Sequence, residues 1–232
     1  MWYKLKRATI RVNGVEKQVR PSGWKPWANT IYYLPFDTDL LDHSWNGYTF
    51  TPSWWNISIV SWEANIPVCY INNGSLDVPS STYTFGSDDF TVSYWVNIPT
   101  DQFSIYRWVV WFNGEWGSFV LNYEFNGGYI WSWLHSWNVG VSYPTVKDTW
   151  IHFVTVRDGG TFTTYYNWNQ YDTQTVTPFS VWQGGATVFG IGRWQGVVMK
   201  NLYISNFILE SKARTAQEIS DYYNQTKWNY GL

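Results

Sequence analysis

Three aspartates near the start of the main body of the chain could bind a divalent cation. Asp37, Asp39 and Asp42 lie in one short segment and offer hard carboxylate oxygens, which are the ligands that calcium prefers. The same composition is also ordinary turn chemistry, because a short carboxylate accepts hydrogen bonds from nearby backbone amides. The sequence therefore names Ca²⁺ as the candidate cofactor and leaves a simple turn as the alternative.

A second candidate site is an alternating aromatic stripe. Tyr129, Trp131 and Trp133 occupy every other position, so a strand would place all three rings on one face. Aromatic rings stack on the apolar face of a pyranose, and the amides of Asn122 and Asn138 are candidates for fixing sugar hydroxyls. The competing interpretation is that the rings belong to the core. The stripe also has the chemistry to stack single-stranded bases, but the charge balance argues against that ligand.

Charge and composition exclude several classes of protein. The 232 residues carry 15 Lys and Arg against 17 Asp and Glu, and a net charge of -2 provides no basic field for nucleic acid. The single cysteine, Cys69, cannot form an internal disulfide or a zinc cluster. No apolar run approaches the roughly 20 residues of a membrane-spanning helix, and no secretory signal is visible. We therefore expect no nucleic-acid partner, no membrane span, and a location either in the cytoplasm or on a particle or cell surface reached by a non-classical route.

The candidate residues must be positioned by β-strands. From Asn29 onward, short runs rich in Val, Ile, Thr, Tyr, Phe and Trp alternate with turn signals such as Asn113-Gly114 and Asp158-Gly159. Many closely spaced strands without intervening helices predict an all-β fold, an antiparallel β-sandwich.

The C-terminus is the exception to this strand pattern. Thr215 and Glu218 have the spacing of a capping box, in which each side chain bonds the backbone amide of the other residue. Ile219, Tyr222 and Tyr223 then fall on one helical face. We expect a short helix over about 215–225 that packs against the sandwich.

The N-terminus reads as a separate arm. Ala8–Val12 and Val15–Val19 alternate apolar and polar residues on either side of Asn13-Gly14, the strongest short hairpin signal. A linker rich in Pro, Ser and Gly follows. We therefore divide the chain into a basic hairpin arm with its linker (residues 1–25) and a sandwich domain (residues 26–232). The arm is either a device that docks a protein partner or a solvated edge.

Segments in a fixed order are similar to one known family. They are Ile31–Asp37 (IYYLPFD) with Asp42–Gly47 (DHSWNG), Phe90–Val96 (FTVSYWV), Trp150–Gly159 (WIHFVTVRDG) and Gly190–Ile219, which contains GIGR, LYISN and TAQEI. On these segments the chain is identified as a member of the concanavalin A-like lectin/glucanase superfamily, and it resembles the bacterial laminin-G-like domains. The resemblance implies a jelly-roll sandwich over most of residues 29–223, with glycans and calcium as the recurrent ligands. Lys200-Asn201 replaces a usual Asp pair, which weakens the case for calcium.

Catalytic patterns are missing from the sequence. The glucanases of the resembled superfamily carry E-x-D-x-E, which puts carboxylates on one face of a strand, and no glutamate here begins such a pattern. The adjacent Asp88-Asp89 pair reads as a turn or a cation contact, and the three histidines are scattered, with His152 expected to be a packed structural residue. We expect no enzymatic activity.

Tryptophan is far above ordinary usage, with 19 among 232 residues. Trp45, Trp168 and Trp194 occupy positions where the resembled family expects glycine, whereas Trp95 and Trp150 match genuine family tryptophans. Glycine marks backbone with positive φ or close approach, which an indole tolerates poorly. We hypothesise that UGA codons encode glycine in the source genome and that the printed translation reads them as Trp, the alternative being a lineage that favours tryptophan. The hypothesis predicts turn positions with exposed indoles for these three residues.

Two function classes follow from these observations. The first is a non-catalytic binding or adhesion module, structural in character, carried by a surface or phage-like assembly and recognising glycans or another surface ligand. The alternative is a free-standing carbohydrate-binding lectin, and glycoside hydrolysis ranks last. The missing secretory signal and the basic arm favour the first class.

Overall fold

A computed structural model provides the structure of the chain. It describes residues 8–12, 15–19, 28–53, 56–62, 66–78, 88–100, 107–113, 119–126, 129–134, 139–144, 147–175, 188–194, 197–198 and 201–232. The strands formed by these residues are numbered in chain order, and every paired strand is antiparallel to its neighbour.

Two sheets make up the domain, and we call the eight-stranded one the large sheet and the seven-stranded one the small sheet. The large sheet contains, in spatial order, β15 (Asn169–Thr175), β14 (Thr161–Tyr166), β13 (Trp150–Asp158), β8 (Phe90–Asn97), β19 (Leu202–Glu210), β6 (Ile66–Ile71) and β5 (Ile57–Trp62), with β3 (Thr30–Leu34) also paired to β19. The small sheet contains β12 (Val139–Pro144), β11 (Tyr129–Leu134), β10 (Phe119–Asn126), β9 (Arg107–Asn113), β16 (Val188–Ile191), β7 (Ser75–Val78) and β4 (Thr51–Ser53). Two further pairs join β1 (Ala8–Val12) to β2 (Val15–Val19) and β17 (Arg193–Trp194) to β18 (Val197–Val198).

Alternation along each strand gives the large sheet an inner and an outer face. Along β8, Phe90, Val92, Tyr94 and Val96 join the main core, which also contains Val109, Val110 and Leu76 of the small sheet. The intervening Trp95 belongs to a second cluster instead. Because side chains alternate across a strand, the inner face packs against the small sheet and the outer face points away from it. The predicted antiparallel sandwich is confirmed.

The outer face is covered by the C-terminal helix α1 (Ala216–Thr226) and the 3₁₀ turn Lys227–Tyr230. Thr215 caps the helix and both bonds of the predicted capping box are present. Tyr230 stacks on Trp95 with ring centroids 4.1 Å apart, and Tyr223 stacks on the same indole at 5.6 Å. This cover explains why all eight residues of β8 are buried, although it lies in an antiparallel sheet.

A buried ion pair joins the end of β19 to the start of the helical cover. The Arg214 guanidinium contacts the Glu210 carboxylate, and both side chains are only 1% exposed. The amide of Arg214 donates to the Thr91 hydroxyl, which in turn donates to the Lys212 carbonyl. The segment that leads into α1 is therefore fixed to β8 by hydrogen bonds as well as by packing.

The N-terminal strands pair as the sequence predicts. Val12 is the register partner of Val15, so the two strands form a hairpin whose connecting residues 13–14 lie outside the described part of the chain. The boundary at residue 25 also lies outside it and stays a prediction. Within the described residues, no helix has the length and apolar character needed to cross a bilayer.

The structure tests the glycine-like tryptophans directly. Asn167 and Trp168 form the two-residue loop between β14 and β15. Both residues have positive φ, +46° for Asn167 and +68° for Trp168. Trp45 also lies in a turn and its side chain is 70% exposed, but the positive φ of that turn falls on Gly47. Trp95 and Trp150 are buried, as expected. The glycine-like geometry is thus confirmed for Trp168, while Trp45 shows only the exposure. For Trp194 the predicted turn position is wrong, because this residue lies in β17 and pairs with Val197.

Candidate functional site

An aromatic groove lies on the outer face of the large sheet, at the edge formed by β5. It has a volume of about 550 Å³ and is lined by Val60, Ser61, Trp62, Tyr70 and Tyr203, which we call the outer groove. Three strands supply these side chains, because β6 pairs with β5 on one side and with β19 on the other. The groove adjoins the part of the outer face that α1 and the 3₁₀ turn cover.

The ring of Tyr203 contacts both other aromatic rings of the outer groove. Trp62 meets Tyr203 edge to face at 4.6 Å and 64°, and Tyr70 stacks on Tyr203 at 4.9 Å and 29°. Tyr203 and Tyr70 are cross-strand partners, which fixes the spacing of their rings. The result is a continuous aromatic surface that is half-buried by its own neighbours and open on one side.

Polar groups accompany the rings. The Tyr70 hydroxyl donates a 2.5 Å hydrogen bond to Oδ1 of Asn201, a residue held in the left-handed region at φ +52°. None of the five lining residues is charged. Asn201, which stands where the resembled family usually has an aspartate, therefore helps to orient the Tyr70 ring of the groove.

A row of side chains runs from the covered part of the outer face into the groove. The register pairs Trp150 with Asn97, and Asn97 with Tyr203. Asn97 is fully buried, and its Oδ1 and Nδ2 have no hydrogen-bond partner among the described residues. The same is true of Nε1 of Trp150. Unpaired buried polar atoms are uncommon in folded proteins.

His152 and Trp95 form the neighbouring pair on the same face. Their rings stack at 4.9 Å, and Tyr222 covers the imidazole from α1 at 5.4 Å. Burial, aided by the positive charge of Arg214, lowers the pKa of His152 to about 3. The histidine is therefore neutral at physiological pH and acts as a packing residue, as the sequence predicted.

The predicted aromatic stripe lies on the small sheet, apart from the outer groove. Tyr129, Trp131 and Trp133 occupy alternate positions of β11, and the register places Asn122 of β10 opposite Trp133. Asn138 lies outside the described residues. The backbone thus brings four of the five residues onto two adjacent strands, and their role in binding stays a prediction.

The three aspartates accept hydrogen bonds from nearby groups, and the Thr38 hydroxyl is a donor to both Asp37 and Asp39. Oδ1 of Asp42 accepts hydrogen bonds from the amides of Tyr33 and Ser44, and its Oδ2 accepts from Tyr48. Asp39 accepts from the Leu41 amide and contacts Nε2 of His43 at 2.9 Å, while Asp37 accepts from Thr38. Within the described part of the chain, no three His, Cys, Asp or Glu residues form a group able to hold a metal. These contacts match the turn interpretation, and calcium binding stays a prediction.

The outer groove could not be predicted from local sequence patterns because its aromatic residues are far apart in the chain. Trp62, Tyr70 and Tyr203 share no local spacing, and only the pairing of β6 with β19 brings them together. The available signal was the alternation of each strand, which puts Tyr203 on the face opposite to Leu202 and Ile204.

The fold is lectin-like, a two-sheet sandwich with an aromatic groove on one outer face. Residues 70–220 match the Laminin_G_3 family, described as the concanavalin A-like lectin/glucanases superfamily. The chain belongs to this superfamily. No curated protein sequence matches it significantly.

Solved structures with a similar fold include binding domains of a mosquitocidal protein and of botulinum neurotoxins. They include the binding domain of Paraclostridial Mosquitocidal Protein 1 (15% identity, TM-score 0.66), covering 85% of this chain and 52% of that one. The binding domain of Botulinum neurotoxin DC in complex with rat synaptotagmin II (13% identity, TM-score 0.70) covers 85% and 51%. The receptor binding domain of botulinum neurotoxin D (14% identity, TM-score 0.68) covers 85% and 53%. The chain thus spans about half the length of these structures, and identities this low show the fold alone.

Proposed function

We propose that this protein is a non-catalytic binding and adhesion module of a surface or phage-like assembly, and that it recognises glycans. The observation that carries the proposal is the outer groove, in which Trp62, Tyr70 and Tyr203 present a continuous aromatic surface. Pyranose rings have apolar faces that stack on such surfaces, and neighbouring hydroxyl groups fix their orientation. The superfamily and the binding-domain neighbours support a binding role.

Catalysis has less support. Glycoside hydrolysis needs two carboxyl groups that flank the bond to be cleaved. None of the described residues that line the outer groove is a carboxylate. A general acid needs a carboxyl group with a raised pKa, and Glu210 is a buried carboxylate with that property. Burial raises its pKa, although the charge of Arg214 opposes the rise. Because Glu210 is 1% exposed and ion-paired, it has no access to a sugar.

A glycan array probed with the whole protein tests the proposal. We expect selective binding that Trp62→Ala and Tyr203→Ala both abolish. The matched control is Tyr171→Ala, an exposed aromatic on β15 at the opposite edge of the same sheet, which should bind like the wild type. Equal binding by all variants would move the site elsewhere, and loss in Trp131→Ala or Trp133→Ala would assign it to the predicted stripe on β11.

The alternative, a free-standing lectin, differs in assembly rather than in ligand. A surface or particle component should associate with itself or with a protein partner through the basic arm, whereas a free lectin should stay monomeric with or without residues 1–25. Light scattering of the full chain and of the truncated chain separates the two. Selective glycan binding by a strictly monomeric full chain favours the free lectin.

Calcium is a further proposal on the aspartate segment. If Asp37, Asp39 and Asp42 bind Ca²⁺, the melting temperature should rise with calcium and fall with a chelator, since a ligand that binds the folded state stabilises it. Identical melting curves in both conditions would leave the segment as a hydrogen-bonded turn.

A further inference from the structure

We infer that Asn97 is the hydrogen-bonding residue of a neutral saccharide site in the outer groove, and that Trp62 covers it in the unliganded protein. The inference rests on the proposed function and adds the polar residues, the access route and the class of sugar. It begins from the unusual state of the Asn97 amide, which is fully buried while both of its polar atoms lack partners among the described residues.

The position of Asn97 places it next to the groove. Asn97 ends β8, and its register partners are Trp150 on one side and Tyr203, a groove residue, on the other. Partners in an antiparallel register point to the same face, so the amide lies on the outer face between these two rings.

The Trp62 indole lies over the two rings that flank Asn97 on the outer face. It meets Trp150 at 5.6 Å and 87°, and Tyr203 at 4.6 Å and 64°, so it contacts both rings that flank Asn97. Trp62 is the last residue of β5, the edge strand of the large sheet, and among the described residues only β6 pairs with β5. Rotation of the Trp62 indole away from Trp150 would open the amide to the groove and leave the indole in place to stack on a sugar.

The polar atoms match the needs of a sugar. Oδ1 of Asn97 accepts a hydrogen bond, while Nδ2 of Asn97 and Nε1 of Trp150 donate, and none of the three has a partner among the described residues. Adjacent hydroxyl groups of a pyranose both donate and accept. None of the described residues that line the outer groove carries a positive charge that would pair with a sialic acid or a sulfate. The chemistry therefore selects a neutral hexose or N-acetylhexosamine.

A buried amide that serves only a ligand should weaken the unliganded fold. Asn97→Leu keeps the branching of the side chain and removes the unpaired polar atoms, so the melting temperature should rise by about 2–4 °C. Affinity for the sugar should fall by about tenfold or more, since the ligand loses its buried partners. Ser93→Ala is the matched control: its hydroxyl is also buried and without a partner among the described residues on the same face of β8, but it pairs with Val154 and Ile208, away from the groove.

The experiment uses a glycan array of neutral hexose- and N-acetylhexosamine-terminated oligosaccharides with their sialylated and sulfated counterparts, followed by calorimetry with the neutral oligosaccharide that gives the strongest signal. Loss of binding in Asn97→Leu with wild-type binding in Ser93→Ala supports the inference. If Asn97→Leu does not fold, Asn97→Ala takes its place in the same comparison. Unchanged affinity in the Asn97 variant, an equal loss in Ser93→Ala, or binding of anionic glycans alone overturns the inference and leaves the proposed function standing. A wild-type protein that binds no glycan refutes the proposed function itself.

Discussion

Replacing Trp168 tests whether this tryptophan occupies a glycine position. Tyr166 and Asn169 are register partners, so Asn167 and Trp168 form a two-residue hairpin loop in which both have positive φ. This is the geometry of a type I′ turn, whose usual sequence is Asn-Gly. A residue with a Cβ in the left-handed region costs about 1–2 kcal/mol, and the greater freedom of unfolded glycine offsets about 0.4–1 kcal/mol of that.

The comparison of Trp168→Gly with Trp168→Ala isolates this cost. Both variants lose the indole, which is 45% exposed, and they differ only in the Cβ. The glycine variant should therefore be more stable than the alanine variant by about 1 kcal/mol, or about 2–4 °C in melting temperature for a chain of this length. Denaturant or thermal unfolding measures the difference.

The matched control is Thr173, an exposed residue in the interior of β15. There the order should reverse, with alanine more stable than glycine by about 0.5–1 kcal/mol, because glycine in a strand carries only its entropic cost. If alanine equals or exceeds glycine at both positions, the strain argument at Trp168 is refuted. The codon for residue 168 tests the recoding hypothesis separately: UGA supports it and UGG ends it.

Three further predictions concern the helical cover and the arm. Burial lowers the pKa of His152 from 6.5 to about 3, so between these pH values the unfolded chain binds a proton that the folded protein does not. The free energy of unfolding should therefore fall as the pH drops from about 6.5 towards 3. His152→Phe should flatten this slope when unfolding is measured against pH. Arg214→Met should destabilise the protein by about 3–5 kcal/mol by leaving the Glu210 carboxylate buried without its guanidinium, and the double variant with Glu210→Met should recover most of that loss in a double-mutant cycle. Deletion of residues 1–25 should leave the melting transition of the sandwich nearly unchanged; a collapse of folding would show that the arm belongs to the core.

The fold was predictable where local chemistry decides the structure. Strand composition and turn signals indicate the sandwich, and the Thr215 and Glu218 spacing specifies the helix, whose buried residues Ile219, Tyr222 and Tyr223 are the three expected. The candidate site was not predictable in the same way. Tyr70 and Tyr203 become neighbours only through strand pairing across the sheet, and no local pattern encodes that pairing.

Several buried polar atoms on the outer face of the large sheet have no hydrogen-bond partner among the described residues. The inner face packs apolar residues against the small sheet, whereas Trp95, Asn97, Trp150 and His152 all bury polar atoms without partners among the described residues on the outer face. A face that served only to pack a helix would gain stability from apolar residues at these positions, since a buried unpaired group costs about 1–3 kcal/mol. Trp95 and His152 lie under the helical cover and pack against its tyrosines, whereas Trp150 contacts Trp62 and Asn97 pairs with Tyr203 at the outer groove. For Asn97 and Trp150, a ligand explains the unpaired polar atoms better than packing does. Asn97 lies at the boundary between the helical cover and the groove, where the two explanations can be told apart. If the amide serves a ligand, Asn97→Leu should raise the melting temperature and weaken sugar binding; if the amide stabilises the fold, the same change should lower the melting temperature.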